Sequence, residues 1–179
     1  IVRSGRATAE KNGNDPWLFD YREAWLRTLV FDFEGARRVC DAVAARATPY
    51  LRRQPEAIAR FAIGCAELEK GRHEQAARSF EAVLDPAVTA KFFLHWYWRM
   101  SAQLGLSNVW LAAGDLGRAR PAADRFLESA LQTSEPNLQA LGWDVQARVA
   151  MAEKERKRAE DAIERGLAVV ERFPIPMAA

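Results

Sequence analysis

Two histidines, two cysteines and 24 acidic residues are the groups from which this 179-residue chain would have to build a reactive site. His73-Glu74 opens as a zinc-binding H-E-x-x-H helix would, a spacing that sets two imidazoles on one face beside a carboxylate base. Ala77 stands where the second histidine belongs, so the ligand set is incomplete and no metal is expected. His73 falls at a turn position suited to packing, and His95 lies inside an aromatic run. Cys40 and Cys65 sit in helical patterns, where a reduced thiol acts as a small apolar residue. Two such cysteines make no disulfide framework, which points to a reducing cytoplasm. There is no G-x-x-x-x-G-K-[ST] phosphate loop and no G-x-S-x-G nucleophile turn. The carboxylates lie beside Arg and Lys in helix-like segments, whereas a hydrolytic pair needs a pocket. No catalytic residue, cofactor or enzymatic turnover is expected.

Charge and hydropathy narrow the partners. Lys+Arg number 26 against 24 acids, a net charge of +2, so no strong field draws nucleic acid or an acidic membrane. The basic clusters are Arg37-Arg38, Arg52-Arg53 and Lys154-Glu155-Arg156-Lys157-Arg158. The last is interleaved with Glu153 and Glu160 and reads as a solvated helix with i,i+4 pairs. No direct nucleic-acid contact is expected. No run of about 18 apolar residues could span a membrane; the stretch Phe92 to Met100 is short and interrupted by His95 and Arg99. The first fifteen residues lack the apolar core of a signal peptide. The chain starts at Ile1 within a helix-like segment, and we expect it to belong to a longer protein. With 49% apolar and 28% charged residues, it has the balance of an ordinary globular domain of this length.

The elements that would position any site read as helices. No segment alternates apolar and polar residues for long, and Ala, Leu, Arg and Glu abound, as helices prefer. The periodicity predicts nine helical segments, 1–12, 16–31, 33–47, 55–70, 72–84, 87–113, 115–133, 136–153 and 155–172. Pro16, Pro55, Pro86 and Pro136 fall at segment starts, where a missing N–H costs nothing. Asp15, Asp85 and Glu135 precede three of them and favour a helix N-terminus. Pro121 lies about one turn into its segment and allows a local kink. The tight breaks around Asp32, Arg72, Asp115 and Glu155 force neighbouring helices antiparallel.

An internal repeat orders these segments. Ala36, Ala76, Ala119 and Ala159 each follow a tight break and are separated by 40, 43 and 40 residues. Twelve residues before them stand Ala24, Gly64, Ser107 and Ala147, all small. Four residues after them come Cys40, Phe80, Ala123 and Ile163, then Val43, Val83, Phe126 and Gly166. Small residues let two helices cross closely, and the residues beside them fill the groove.

This pattern resembles the tetratricopeptide repeat, in a long-period variant similar to the helical repeats of large bacterial regulatory and signalling proteins. Gly64, Gly71, Ala76, Phe80, Val83 and Pro86 carry the closest match. Ala123 replaces the aromatic of the third unit, Lys154 the turn glycine of the fourth, and Asp20 and Glu23 stand where the first expects apolar residues. The resemblance implies an all-α, right-handed superhelical solenoid of antiparallel helix pairs. Its units are 16–54, 55–86, 87–134 and 135–173 within a single domain 1–179, led by a helix at 1–12. Both ends look open, as in a piece of a longer solenoid. It also implies protein–protein interaction as the function, another protein or peptide lying on a concave surface of the first helices. The positions carried over are Tyr21 and Trp25, then Phe61, Cys65 and Leu68, then Leu104, Asn108 and Leu111, then Asp144, Arg148 and Met151. The Lys and Asn grip that some members use for an acidic C-terminal tail is missing. Two alternatives stay open, a ligand-sensing helical repeat around Trp25, Phe61 and the Trp96 to Trp98 region, and a self-assembly module forming homo-oligomers through the aromatic stretch or the open ends.

Overall fold

In the computed structural model, residues 2–13, 17–46, 49–85, 92 and 94–173 are described. Among them the chain is all-helical, with nine helices and no strand. The helices are α1 (Val2–Lys11), α2 (Trp17–Leu29), α3 (Phe33–Arg46), α4 (Pro49–Glu69) and α5 (His73–Leu84). They continue as α6 (His95–Ala112), α7 (Leu116–Leu131), α8 (Pro136–Ala152) and α9 (Arg156–Arg172). Consecutive helices pack on one another, α1 on α2, α2 on α3, α3 on α4, α4 on α5, α7 on α8 and α8 on α9. The chain divides into two compact units, residues 1–99 and 100–179. Among the described residues, no helix is long and apolar enough to cross a membrane.

The repeat is written into the backbone. Phe31, Gly71, Gly114 and Lys154 all adopt left-handed φ, at 61°, 70°, 71° and 64°. They lie five residues ahead of the four spaced alanines. At each, the following N–H closes back onto the last helical turn: Asp32 to the Arg27 carbonyl at 2.8 Å, Arg72 to Glu67 at 2.9 Å, Asp115 to Trp110 at 2.9 Å and Glu155 to Ala150 at 2.8 Å. The inner bond, from the left-handed residue to the carbonyl three back, accompanies each, so all four turns are the same helix-terminating motif. The next residue begins the following helix. Asp32 accepts the Gly35 N–H at 2.9 Å and Asp115 that of Arg118 at 3.0 Å, satisfying donors the helix leaves unpaired. The Gly35 N–H and then Arg27 hold the Asp32 carboxyl below its usual range, and Arg118 does the same for Asp115. These caps are complete at neutral pH and weaken as the pH falls through the lowered values.

Glycine takes a left-handed φ freely, whereas a side chain there costs about 1–2 kcal/mol. Lys154 bears that cost. Lys154→Gly is therefore expected to raise the unfolding free energy by about 0.5–1 kcal/mol, the relief being partly offset by the greater freedom of glycine in the unfolded chain. A denaturation midpoint at or below that of the wild type would contradict this reading of the turn. Phe31 is a different case, because its ring meets Phe33 edge-on at 6.1 Å.

The spaced alanines sit at the crossings. Ala36, Ala76 and Ala119 are 0% exposed and Ala159 5%. Ala24, Gly64, Ser107 and Ala147, twelve residues earlier, are buried as well. A Cβ on Gly64 would lie 2.7 Å from the Phe80 ring, so the glycine makes room for that aromatic. Asp20 and Glu23, out of place by the repeat pattern, are accounted for by charge. Arg6 of α1 reaches Asp20, buried on α2, at 2.9 Å, and Glu23 pairs with Arg27 at 2.7 Å.

Several expected boundaries need correction. The fourth helix starts at Pro49, not 55, and carries Pro55 inside it. A proline seven residues into a helix removes one backbone bond and crowds the carbonyl four residues back, a cost that the packing of α4 on α3 and α5 offsets. The expected unit boundary at 54/55 therefore falls inside a helix. The described helix of the third pair starts at His95, and the expected start at 87 lies outside the described residues. Pro136 does open α8, and Glu135 sits at its cap without a side-chain bond. Asp85 follows the end of α5, and Asp15, Pro16 and Pro86 lie outside the described residues. Ile163, expected to fill a groove, is 46% exposed, because among the described elements α9 packs against α8 alone.

Candidate interaction surface

The carried-over positions fall in both compact units, and each group is described within its own. In residues 1–99 the first group is aromatic. Tyr21 and Trp25 stand one turn apart on α2, with ring centroids 5.9 Å apart. Trp25 meets Tyr97 at 5.3 Å and Trp98 at 6.1 Å, and Phe61 of α4 meets Trp98 and Phe80 at 5.6 Å each. The tilted and edge-on geometries are those that aromatic quadrupoles prefer. Tyr21 is buried, and burial pushes its phenol pKa up. It supports the cluster from beneath, whereas Trp25, Phe61 and Tyr97 are half-buried and reach the surface. The sequence reading placed Trp98 in an apolar stretch and missed that this ring, 1% exposed, joins α2 to α4. Only pairing across helices reveals it.

Farther along α4, Cys65 packs against Phe33, Ala36, Ala62 and Ala66, and Leu68 is half-buried. Burial pushes both the Cys40 and Cys65 thiols up to about 12, which removes them as nucleophiles at neutral pH. His73 is half-buried at the start of α5. His95 turns its ring edge-on to Phe92 at 6.2 Å and places Nδ1 3.1 Å from the Phe92 carbonyl.

In residues 100–179 the carried-over positions Asn108, Asp144 and Arg148 are polar, and Leu104, Leu111 and Met151 are apolar. Arg148 of α8 donates to the Asn108 side chain of α6 and pairs with Asp144 at 3.5 Å. Asn108 is half-buried, while Asp144 and Arg148 are exposed. These two positions are 40 residues apart and equivalent within the repeat, so the first helices of successive pairs present one side by side with the other. Leu104 and Leu111 are half-buried on α6, and Met151 is 63% exposed at the end of α8.

The basic run at 154–158 behaves differently from its expected i,i+4 pairing. Arg156 does pair with Glu160 at 2.7 Å. Arg158 instead turns inward to Glu153 at 3.0 Å, Glu155 at 3.1 Å and Gln146 at 2.9 Å. Arg120 of α7 donates to Glu153 at 2.7 Å and to Glu155 at 2.9 Å, and Gln146 reaches Asp124 at 2.6 Å. This network ties α7, α8 and α9 together. Arg158 and then Arg120 hold the Glu155 carboxyl below its usual range. Local spacing pointed to neighbours on the same helix, but these partners stand up to 35 residues away. Comparison with protein-family models, curated proteins and solved structures finds no match.

Proposed function

We propose that this chain is a tetratricopeptide-like, right-handed solenoid that holds another protein or peptide on the first helices of its pairs, within a larger cytoplasmic regulatory or signalling protein. The observation that carries the reading is the Arg148–Asn108 contact between equivalent positions of successive first helices. It lays neighbouring repeats side by side and leaves polar groups of both at a surface. Arginine and aromatics are the residues that most often anchor a protein partner. In this reading Asn108, Asp144 and Arg148 bind through polar contacts, and Trp25 and Phe61 form a separate apolar patch. Four identical turns suit such a role, since stacked pairs gain their stability from neighbours and present an extended surface. No reaction is assigned.

The test is capture from the source cell with crosslinking mass spectrometry, using the wild type, Arg148→Ala and the Phe61→Ala/Arg148→Ala double variant. Arg148 is exposed, so its truncation leaves the fold intact. Partners crosslinked to α6 and α8 and lost with Arg148→Ala would support the reading. Capture unchanged in both variants would remove it.

A further inference from the structure

Two hydrogen-bonding groups are buried in the aromatic cluster of residues 1–99. Tyr21 is 6% exposed and Trp98 1%, and among the described residues neither the phenol Oη nor the indole Nε1 closes a hydrogen bond. Burial raises the phenol pKa, while Trp98 and Gln54, which stand beside it, act to lower it. The two polar groups therefore lie close together, with Gln54 of α4, also buried, next to them. Packing requires neither group. In the repeat register the place of Tyr21 is taken forty residues on by Phe61, and that of Trp98 by Leu138, which is buried. An apolar side chain fills each place, so the hydroxyl and the N–H are additions whose burial costs free energy unless something pairs with them. Trp25 and Tyr97 meet at 5.3 Å, both touch Trp98, and both are half-buried, so they form the solvent side of the cluster. A few convergent polar groups set in an apolar, aromatic wall make up a small-molecule site.

The donors select the chemistry of the ligand. An indole N–H only donates, so it disfavours a cation and needs an acceptor atom. Arg22, whose charge also acts on the phenol, is exposed, so a carboxylate drawn inside would lack a buried cation to pair with. An uncharged carbonyl oxygen has two lone pairs and accepts from both groups.

We propose that this cluster binds a small, uncharged, flat aromatic molecule, which enters between Trp25 and Tyr97 and sets a carbonyl oxygen against Tyr21 Oη and Trp98 Nε1. The site belongs to the cluster alone and does not depend on the Asn108–Arg148 contact.

The experiment uses the 179-residue chain and a matched pair of probes, acetophenone and ethylbenzene, alike in shape but for a carbonyl in place of a methylene. Titrations are followed by NMR on isotope-labelled protein, in which the indole N–H signals of the six tryptophans are read separately. Acetophenone is expected to bind about tenfold tighter than ethylbenzene and to move the Trp98 signal downfield. Tyr21→Phe should weaken acetophenone by about tenfold, the effect of one hydrogen bond, and leave ethylbenzene unchanged. The same variant should melt at or above the wild-type temperature, because it removes a buried hydroxyl that the protein leaves unpaired. A lower melting temperature would show that the protein itself pairs this hydroxyl and would overturn the proposal. Equal affinity for the two probes, binding of neither, or a Trp98 signal that stays in place would each do the same. Tetramethylammonium bound in place of the ketone would overturn it too, assigning the rings to a cation.

Discussion

Phe80→Ala is expected to lower the unfolding free energy of its unit by about 3–5 kcal/mol, the range for truncating a buried aromatic. The ring is 1% exposed on α5. It fills the space left by the missing Cβ of Gly64 and meets Phe61 at a centroid distance of 5.6 Å. Truncation removes the apolar burial and opens a cavity between α4 and α5. Both helix backbones are held by a tight turn at Gly71, so collapse into that cavity is restricted and the upper part of the range applies. Against a typical total of about 5–15 kcal/mol, such a loss leaves little margin. Urea denaturation followed by circular dichroism reads it directly. A loss below about 1 kcal/mol would place Phe80 at the surface and remove the α4–α5 crossing as drawn.

The repeat was legible because its constraint is carried by residue size at a fixed spacing. Ala36, Ala76, Ala119 and Ala159 are close to fully buried, and their spacing equals that of the four left-handed turn residues. Glycine marked two of those turns. Phe31 and Lys154 hid the other two, since hydrogen bonding back to the helix end imposes the left-handed backbone on side chains that do not prefer it. Residues 49–54 were missed because Pro55 reads as a start, whereas the packing of α4 on α3 and α5 carries the helix through it. The candidate site was less legible. Tyr21 occupies a face position but is buried, 6% exposed, and Arg158 turns away from its own helix to reach Gln146. Sequence spacing encodes which residues share a helix face. It does not encode which neighbour covers that face, and Ile163 shows the same gap, a groove position by register with no described element over it.

Gly64→Leu probes the same crossing from the opposite side. A Cβ at this position would meet three atoms of the Phe80 ring at 2.7–2.9 Å. Such contacts are repulsive, so either the ring leaves its pocket or α4 and α5 separate. Replacing an interior helical glycine by a helix former gains about 1 kcal/mol of propensity, whereas overpacking costs about 1–3 kcal/mol and occasionally more. The three further leucine carbons put this substitution at the costly end, and the net expectation is a destabilisation of about 1–3 kcal/mol. Gly117 supplies the control: a Cβ there comes no closer than 3.5 Å to Asp115, so Gly117→Ala should leave the melting temperature unchanged or raise it. The decisive measurement is the double variant. With Phe80 cut back to alanine, a leucine at 64 enters vacated space, and the combined loss should fall short of the sum of the single losses by about 0.5–3 kcal/mol, as for residues in contact. Additive losses would mean that the two side chains do not share the crossing, and a wild-type melt for Gly64→Leu alone would displace the register on which the four repeats are aligned.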